Sequence, residues 1–240
     1  SHVATTLKDG RVLISGGFTY SDSTATVLLY DPASNSFKVP GKQMKAGRKS
    51  HTATLLKNGK VLLAGGTQGA SSSPFGTTYL KSMEIYDPAS GSFTQTKDMH
   101  KRRTGHSATL LPGGQVLIVG GYCGNKCTGD KSVNNLYDPA TNSVSELSPP
   151  GALPTSHVAA LLPDGRVLVA GGGWGTSQKQ TVAYSPGAGG SWDSLPDMPI
   201  GRTGARAVTL KDQTVLVVGG YSGTNSPYTY PDKAVIFSLY

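Results

Sequence analysis

Long hydrophobic runs are missing. No stretch approaches the roughly 18 apolar residues that cross a bilayer as a helix, and the opening Ser1-His2-Val3 lacks the basic-then-apolar pattern of a leader peptide. The chain is therefore expected to be soluble, without a membrane span, and a mature or trimmed piece. Charge is scarce too: 15% of the 240 residues are charged and 37% are apolar, which excludes a charge-rich coiled coil and a disordered acidic or basic tail. In excess are the backbone breakers, 32 Gly and 15 Pro, about one residue in five against a usual one in eight, which nearly excludes long helices. Lys and Arg (22) outnumber Asp and Glu (14), and the net charge of +8 allows an acidic partner without identifying one.

The glycines are ordered. Gly-Gly pairs follow an apolar run at 16–17, 65–66, 120–121, 171–172 and 219–220, a spacing of about fifty residues that implies five repeats. The preceding segments, HVATTLKDGRVLISGG, HTATLLKNGKVLLAGG, HSATLLPGGQVLIVGG, HVAALLPDGRVLVAGG and ARAVTLKDQTVLVVGG, align without insertion. Each is two short apolar runs split by Asp-Gly, Asn-Gly, Gly-Gly or Asp-Gln, the sequence form of a tight hairpin. After a variable loop, a third strand ends in VLLYDPASN, MEIYDPASG, NNLYDPATN or TVAYSPGAG, whose Pro and Asn or Gly suit a turn. A fourth strand begins at Phe37, Phe93, Val144 or Trp192. Four antiparallel strands per repeat, arranged radially, make a β-propeller.

The double glycine, the aromatic that ends the third strand (Tyr30, Tyr86, Tyr137, Tyr184, Phe237) and the aromatic that opens the fourth (Phe37, Phe93, Trp192) resemble the Kelch repeat, closest to the bacterial extracytoplasmic type and to the propeller domain of galactose-oxidase-like proteins. The expected fold is all-β: a single five-bladed Kelch-type propeller with blades at about 1–45, 46–100, 101–150, 151–199 and 200–240. The last blade lacks its outermost strand, which leaves an open edge that a partner chain could cover.

Hairpin and turn lengths are constant on one side of such blades, so that side reads as scaffold. The loops between second and third strands, about 18–26, 67–81, 122–133, 173–180 and 221–233, vary in length and are expected to form the binding face. They carry Phe18, Tyr20, Phe75, Tyr79, Tyr122, Trp174, Tyr221, Tyr228 and Tyr230, and the connectors between blades on the same side add Lys42, Lys45, Arg48, Lys49, Lys101, Arg102, Arg103, Arg202 and Arg206. Rigid aromatics with cations suit a protein or a carbohydrate, including an anionic one. Tyr20, Arg48, Tyr79, Arg103, Tyr122, Trp174, Arg202, Arg206 and Tyr221 are the expected ligand-binding residues. No nucleic acid is expected, because the cations form no continuous stripe.

His2, His51, His106 and His157 each stand 14 residues before a glycine pair, which places them at the start of the innermost strand, around the mouth of the central channel. They could hold a transition metal; the alternative is a repeated blade-to-blade hydrogen bond, and no cofactor is expected. Cys123 and Cys127, in YCGNKCTGD, are expected to close a small disulfide, pointing to an oxidising, extracytoplasmic compartment. The galactose-oxidase resemblance implies a copper held by Tyr and His beside a Cys-Tyr crosslink, and that pairing would leave no thiol for the crosslink. The preferred function is a non-enzymatic recognition or scaffold propeller. A metal-dependent, copper-oxidase-like enzyme and a structural repeat module of a larger surface protein or assembly are the alternatives.

Overall fold

The computed structural model describes residues 1–19, 22–69, 76–124, 134–148, 153–173, 176–223 and 229–238. Among them there is no helix, and the strands fall into five antiparallel sheets joined in chain order, with one small hairpin in a loop. Blade one contains β1 (Val3–Thr6), β2 (Val12–Ser15), β3 (Val27–Asp31) and β4 (Ser36–Lys38). Blade two contains β5 (Thr52–Leu55), β6 (Val61–Ala64), β9 (Met83–Asp87) and β10 (Ser92–Gln95), and its long loop carries the hairpin β7 (Thr67–Gln68) and β8 (Thr78–Tyr79). Blade three is β11 (Ser107–Leu110), β12 (Val116–Val119), β13 (Asn134–Asp138) and β14 (Ser143–Leu147). Blade four is β15 (Val158–Leu161), β16 (Val167–Ala170), β17 (Thr181–Ser185) and β18 (Ser191–Leu195). Blade five has three strands, β19 (Arg206–Thr209), β20 (Val215–Val218) and β21 (Val235–Phe237).

Local chemistry sets these boundaries. In the β1–β2, β5–β6, β15–β16 and β19–β20 turns, the side chain of Asp9, Asn58, Asp164 or Asp212 accepts the backbone N–H two residues on, at 3.1, 3.1, 3.0 and 3.1 Å. The next position is left-handed: Gly10, Gly59 and Gly165 have φ of 85°, 84° and 88°, and Gln213 holds the same place at 70°. The turn after the third strand repeats the device, with Asp31, Asp87 and Asp138 accepting from Ala33, Ala89 and Ala140. Across that turn the predicted aromatics meet: Tyr30–Phe37, Tyr86–Phe93 and Tyr184–Trp192 all have centroids 5.0 Å apart.

The chain divides into two compact units, residues 1–104 with 123–128 and 137–144, and residues 105–122 with 129–136 and 145–240. In the first unit, Leu7, Leu13, Val27, Leu29 and Met44 of blade one pack on Val61, Leu63 and Tyr86 of blade two. In the second, Leu111, Leu117 and Val119 of blade three meet Val167, Val169, Val182 and Tyr184 of blade four. The other side of blade four, with Val158, Ala160, Leu168 and Ala170, packs on Ala205, Val215 and Val217 of blade five. The second strand of blades two, three and four is buried along its whole length, so the usual polar alternation is absent from it.

Candidate functional site

Each glycine pair opens a loop of different length, yet the loops of blades one, two and four stand on the same base. In blade one the Thr24 N–H donates to the Gly17 carbonyl at 3.1 Å, the Arg48 N–H to Thr24 at 3.1 Å, and the Gly17 N–H to Arg48 at 2.9 Å. In blade two Leu80, Gly66 and Arg103 close the same triangle at 2.9, 3.0 and 2.8 Å. In blade four Gln178, Gly172 and Arg202 do so at 2.7, 3.2 and 2.6 Å. The second glycine and the connector into the next blade therefore pin both ends of the loop, and insertions between them leave the sheet unchanged.

The triangle needs glycine. Gly172 has φ of +92°, and a Cβ there would stand 2.7 Å from the Thr155 carbonyl oxygen and 2.9 Å from the His157 nitrogen. Gly172→Ala is expected to lower the unfolding free energy by about 2 kcal/mol, measured in urea, whereas Gly187→Ala, which meets nothing within 4 Å and has no positive φ, should change it by less than about 0.5 kcal/mol.

The arginines of these triangles are placed differently from the expectation. Arg48, Arg103 and Arg202 are buried, beneath the loops rather than on them, so they are not available to touch a ligand. The Arg48 guanidinium donates to the Gly65 carbonyl at 2.9 Å, to Ser82 O at 3.2 Å and to Glu84 Oε1 at 2.7 Å. Arg202 repeats the first of these contacts, donating to the Gly219 carbonyl at 3.1 Å, and it also donates to the Lys233 carbonyl. Burial lowers the proton affinity of the Arg48 guanidinium, with Glu84 acting in the opposite direction, and pulls that of Arg103 down to about 10. All three stand 17 residues before the first glycine of a pair. That spacing, rather than charge, was the available signal for a structural role.

The other expected residues fall into three groups. Tyr20, Trp174, Phe75, Tyr228 and Cys127 lie outside the described residues. Tyr122 and Tyr221 are half-buried and occupy the repeat position immediately after the glycine pair, where blade one has Phe18. Tyr221 pairs by its backbone with Thr203, at 3.0 and 3.1 Å, just as Lys49 pairs with Thr67 at 2.9 Å in both directions. Tyr79 lies in β8, and a Cβ on Gly124 would stand 2.7 Å from its ring. Phe18 is exposed, with the Lys49 ammonium 4.1 Å from its ring centroid. Lys42, Lys45, Arg102 and Arg206 are exposed, and Lys49 and Lys101 half so, so six of the nine expected cations face solvent.

Two of the four repeated histidines, His51 and His157, make an inter-blade contact. His51 Nε2 lies 2.9 Å from Ser15 Oγ of the preceding blade, and His157 Nε2 lies 2.8 Å from Ser107 Oγ. His157 Nδ1 is 2.7 Å from the Pro154 carbonyl and must donate to it, so Nε2 accepts from the serine. Burial, reinforced by the Arg48 charge, drives His51 down to about 3 and keeps it neutral. His106 is buried and His2 exposed. His51 Nε2 and His157 Nε2 are engaged with serine, and among the described residues no group of three or more His, Cys, Asp or Glu could hold a metal ion. No helix among the described residues is long and apolar enough to cross a membrane.

The description "KLHDC2/KLHL20/DRC7 Kelch-repeats domain" matches residues 1–220. The chain is 31% identical over 149 residues to Kelch-like protein terF of Aspergillus terreus, covering 58% of this chain and 31% of that one. It is 28% identical over 140 residues to human Kelch domain-containing protein 9, covering 56% and 40%. The match thus spans 31% and 40% of these relatives' own lengths. Among solved structures, that of YjhT is similar at a TM-score of 0.73 and 14% identity, covering 98% of this chain and 80% of that one. A copper-bound fungal alcohol oxidase of the AA5 family is similar at 0.58 and 15%, covering 99% and 62%, a likeness of fold alone. Repeated glycine pairs, paired aromatics and four-stranded blades agree with these matches: the chain belongs to the Kelch-repeat family and has its β-propeller fold, a type that serves as a protein-interaction scaffold.

Proposed function

We propose that this protein is a non-enzymatic recognition module that holds an acidic segment of a protein partner on the loops between second and third strands. The loop clamp carries the reading: a constant base, repeated in three blades, presents insertions of different length, which is how a rigid scaffold diversifies a binding surface. Phe18 with Lys49 forms an exposed aromatic and cationic pair, and Lys42, Lys45, Lys101 and Arg102 extend positive charge along the connectors. The same chemistry suits an anionic glycan, which competes with protein as the ligand.

The test is a screen of the protein on peptide and glycan arrays, followed by titration of the best ligand. Phe18→Ala and Lys49→Glu in the first unit, and Tyr221→Ala in the second, should each weaken binding about tenfold or more while leaving the urea midpoint unchanged, and added salt should weaken it further. Selection of anionic glycans over peptides would replace the protein reading with the carbohydrate one. A lack of binders, or binders indifferent to all three changes, would refute both.

The setting proposed is extracytoplasmic, with Cys123 and Cys127 joined. Supporting it is the C-x3-C spacing in a Gly- and Asn-containing loop. Alkylation of the denatured protein should modify neither cysteine before reductant is added and both afterwards.

A further inference from the structure

The loops of blades two and five rise as the same ladder. In blade two Lys49 pairs with Thr67, and Gln68 with Thr78; in blade five Thr203 pairs with Tyr221, and Ser222 with Thr229. The next residue is a left-handed glycine, Gly69 with φ of 95° and Gly223 with φ of 127°, and each is held from the preceding blade. The Gly69 N–H donates to Ser23 Oγ at 3.2 Å, and the Gly223 N–H to Ser177 Oγ at 2.9 Å. Ser23 and Ser177 occupy one repeat position, directly before Thr24 and Gln178 of the loop clamp. Their backbones are packed tightly: a Cβ on Gly47 would stand 2.8 Å from the Ser23 carbonyl oxygen, and one on Gly201 2.6 Å from that of Ser177. Blade two has Tyr79 at this position, and its ring lies against Gly124, the corresponding glycine of blade three.

In blades one and two these contacts close a circuit. Ser23 pairs with Phe18 across its own loop, and the Lys49 ammonium lies 4.1 Å from the Phe18 ring centroid. Lys49 pairs with Thr67, and Gly69, two residues on, returns to Ser23, whose hydroxyl donates in turn to Asp22 Oδ1 at 3.2 Å. Blades four and five hold the same frame with other side chains. Gly173 stands where Phe18 does and Thr203 where Lys49 does, and Thr203 Oγ1 donates to the Gly173 carbonyl at 3.1 Å. The frame therefore belongs to the repeat, and the aromatic and cationic pair is mounted on it. A lysine on a loop has many rotamers to lose, so an ammonium kept over one ring needs both backbones fixed. We propose that Ser23 is the positioning residue of the Phe18–Lys49 pair. By accepting the Gly69 N–H, its hydroxyl sets the distance between the loop that carries Phe18 and the connector that carries Lys49. This role rests on the reading of that pair as a ligand contact, and it adds the residue that presets the contact before a ligand arrives.

The experiment reads the ring-current shift of the Lys49 side-chain protons, hydrogen exchange of the Gly69 amide and the urea midpoint, all on the protein without ligand. Phe18→Ala gives the Lys49 signal in the absence of the ring. Ser23→Ala should remove at least about half of the shift and speed Gly69 exchange about tenfold, at an unchanged urea midpoint. Ser23→Thr, which keeps the hydroxyl, should restore both. Ser177→Ala should speed exchange at Gly223 and leave Lys49 unmoved. A Lys49 signal that stays in place in Ser23→Ala would overturn the proposal, whether or not Gly69 exchange changes, and so would a loss as large in Ser23→Thr as in Ser23→Ala. Should Ser23→Ala lower the urea midpoint, Ser23→Cys, which keeps the shape and weakens the acceptor, takes its place with the same outcomes. None of these measurements needs a ligand, so an array screen without binders removes the recognition reading alone, and the positioning role stands or falls on the Lys49 signal. With a ligand that depends on Phe18, Ser23→Ala should weaken binding about fivefold and Ser23→Thr less than about twofold. An affinity unchanged in Ser23→Ala would show that the preset distance plays no part in recognition and would overturn the role.

Discussion

Replacing Glu84 with alanine is expected to cost about 3–5 kcal/mol of unfolding free energy, because it leaves the buried Arg48 guanidinium without its anion. The two side chains are 2.7 Å apart and are 0% and 2% exposed. Glu84 also accepts the backbone N–H groups of Lys45, at 2.8 Å, and Ala46, at 3.4 Å, so the carboxylate anchors the connector from which Arg48 itself projects. Glu84→Gln keeps an acceptor for those groups and removes the charge, and should recover about half of the loss. Arg48→Met made in the Glu84→Ala background should cost far less than the same change made first, since the stranded charge has then been removed. Urea unfolding of the four proteins measures the coupling. A loss below about 1 kcal/mol for Glu84→Ala would show that Arg48 is satisfied by the Gly65 and Ser82 carbonyls alone.

Acid should destabilise the protein well above the usual carboxylate range. His51 titrates at about 3 in the folded state, against 6.5 when unfolded, so between these values the unfolded chain binds the extra proton. Stability is therefore fully present above about pH 6.5 and falls as the pH drops toward 3, by up to about 1.4 kcal/mol per pH unit. From pH 7 to pH 5 the loss attributable to this one imidazole is about 2 kcal/mol. The lowered carboxylates, among them Asp9, Asp87 and Asp212, lose their contributions only below their unfolded values near 3.8, so the two effects separate along the pH axis. His51→Gln, which can still hydrogen-bond to Ser15, should flatten the profile between pH 7 and 5. A variant that keeps the wild-type slope would assign the proton uptake to another group.

The residues that carry the backbone were legible in the sequence because their constraints are local. A glycine pair after four apolar residues, Asp-Pro-Ala after an aromatic and a second aromatic across the turn each act within one hairpin, and repetition made them visible. The arginines were misplaced for the opposite reason. Arg48 looks like a surface cation in a connector rich in Lys, as most arginines are, and its burial depends on Gly65, Ser82 and Glu84, which lie 17 to 36 positions away. The histidine contact was visible as a possibility through its fixed spacing, but its partner was not: Ser15 follows the β2 apolar run in one blade, whereas Ser107 opens β11 in another.

Each ladder joins strands that follow one another in the chain, with β6 and β9 separated only by the small hairpin of their own loop. Pairings between sequence neighbours close short loops and are entropically cheap to form, unlike the long crossings of a Greek-key sandwich. A blade can thus assemble as a meander while the rest of the chain is still open, and its neighbour can then build on the finished face. The order in which the molecule forms becomes a matter of which blade is ready first, and the chain can fold progressively as it is synthesised.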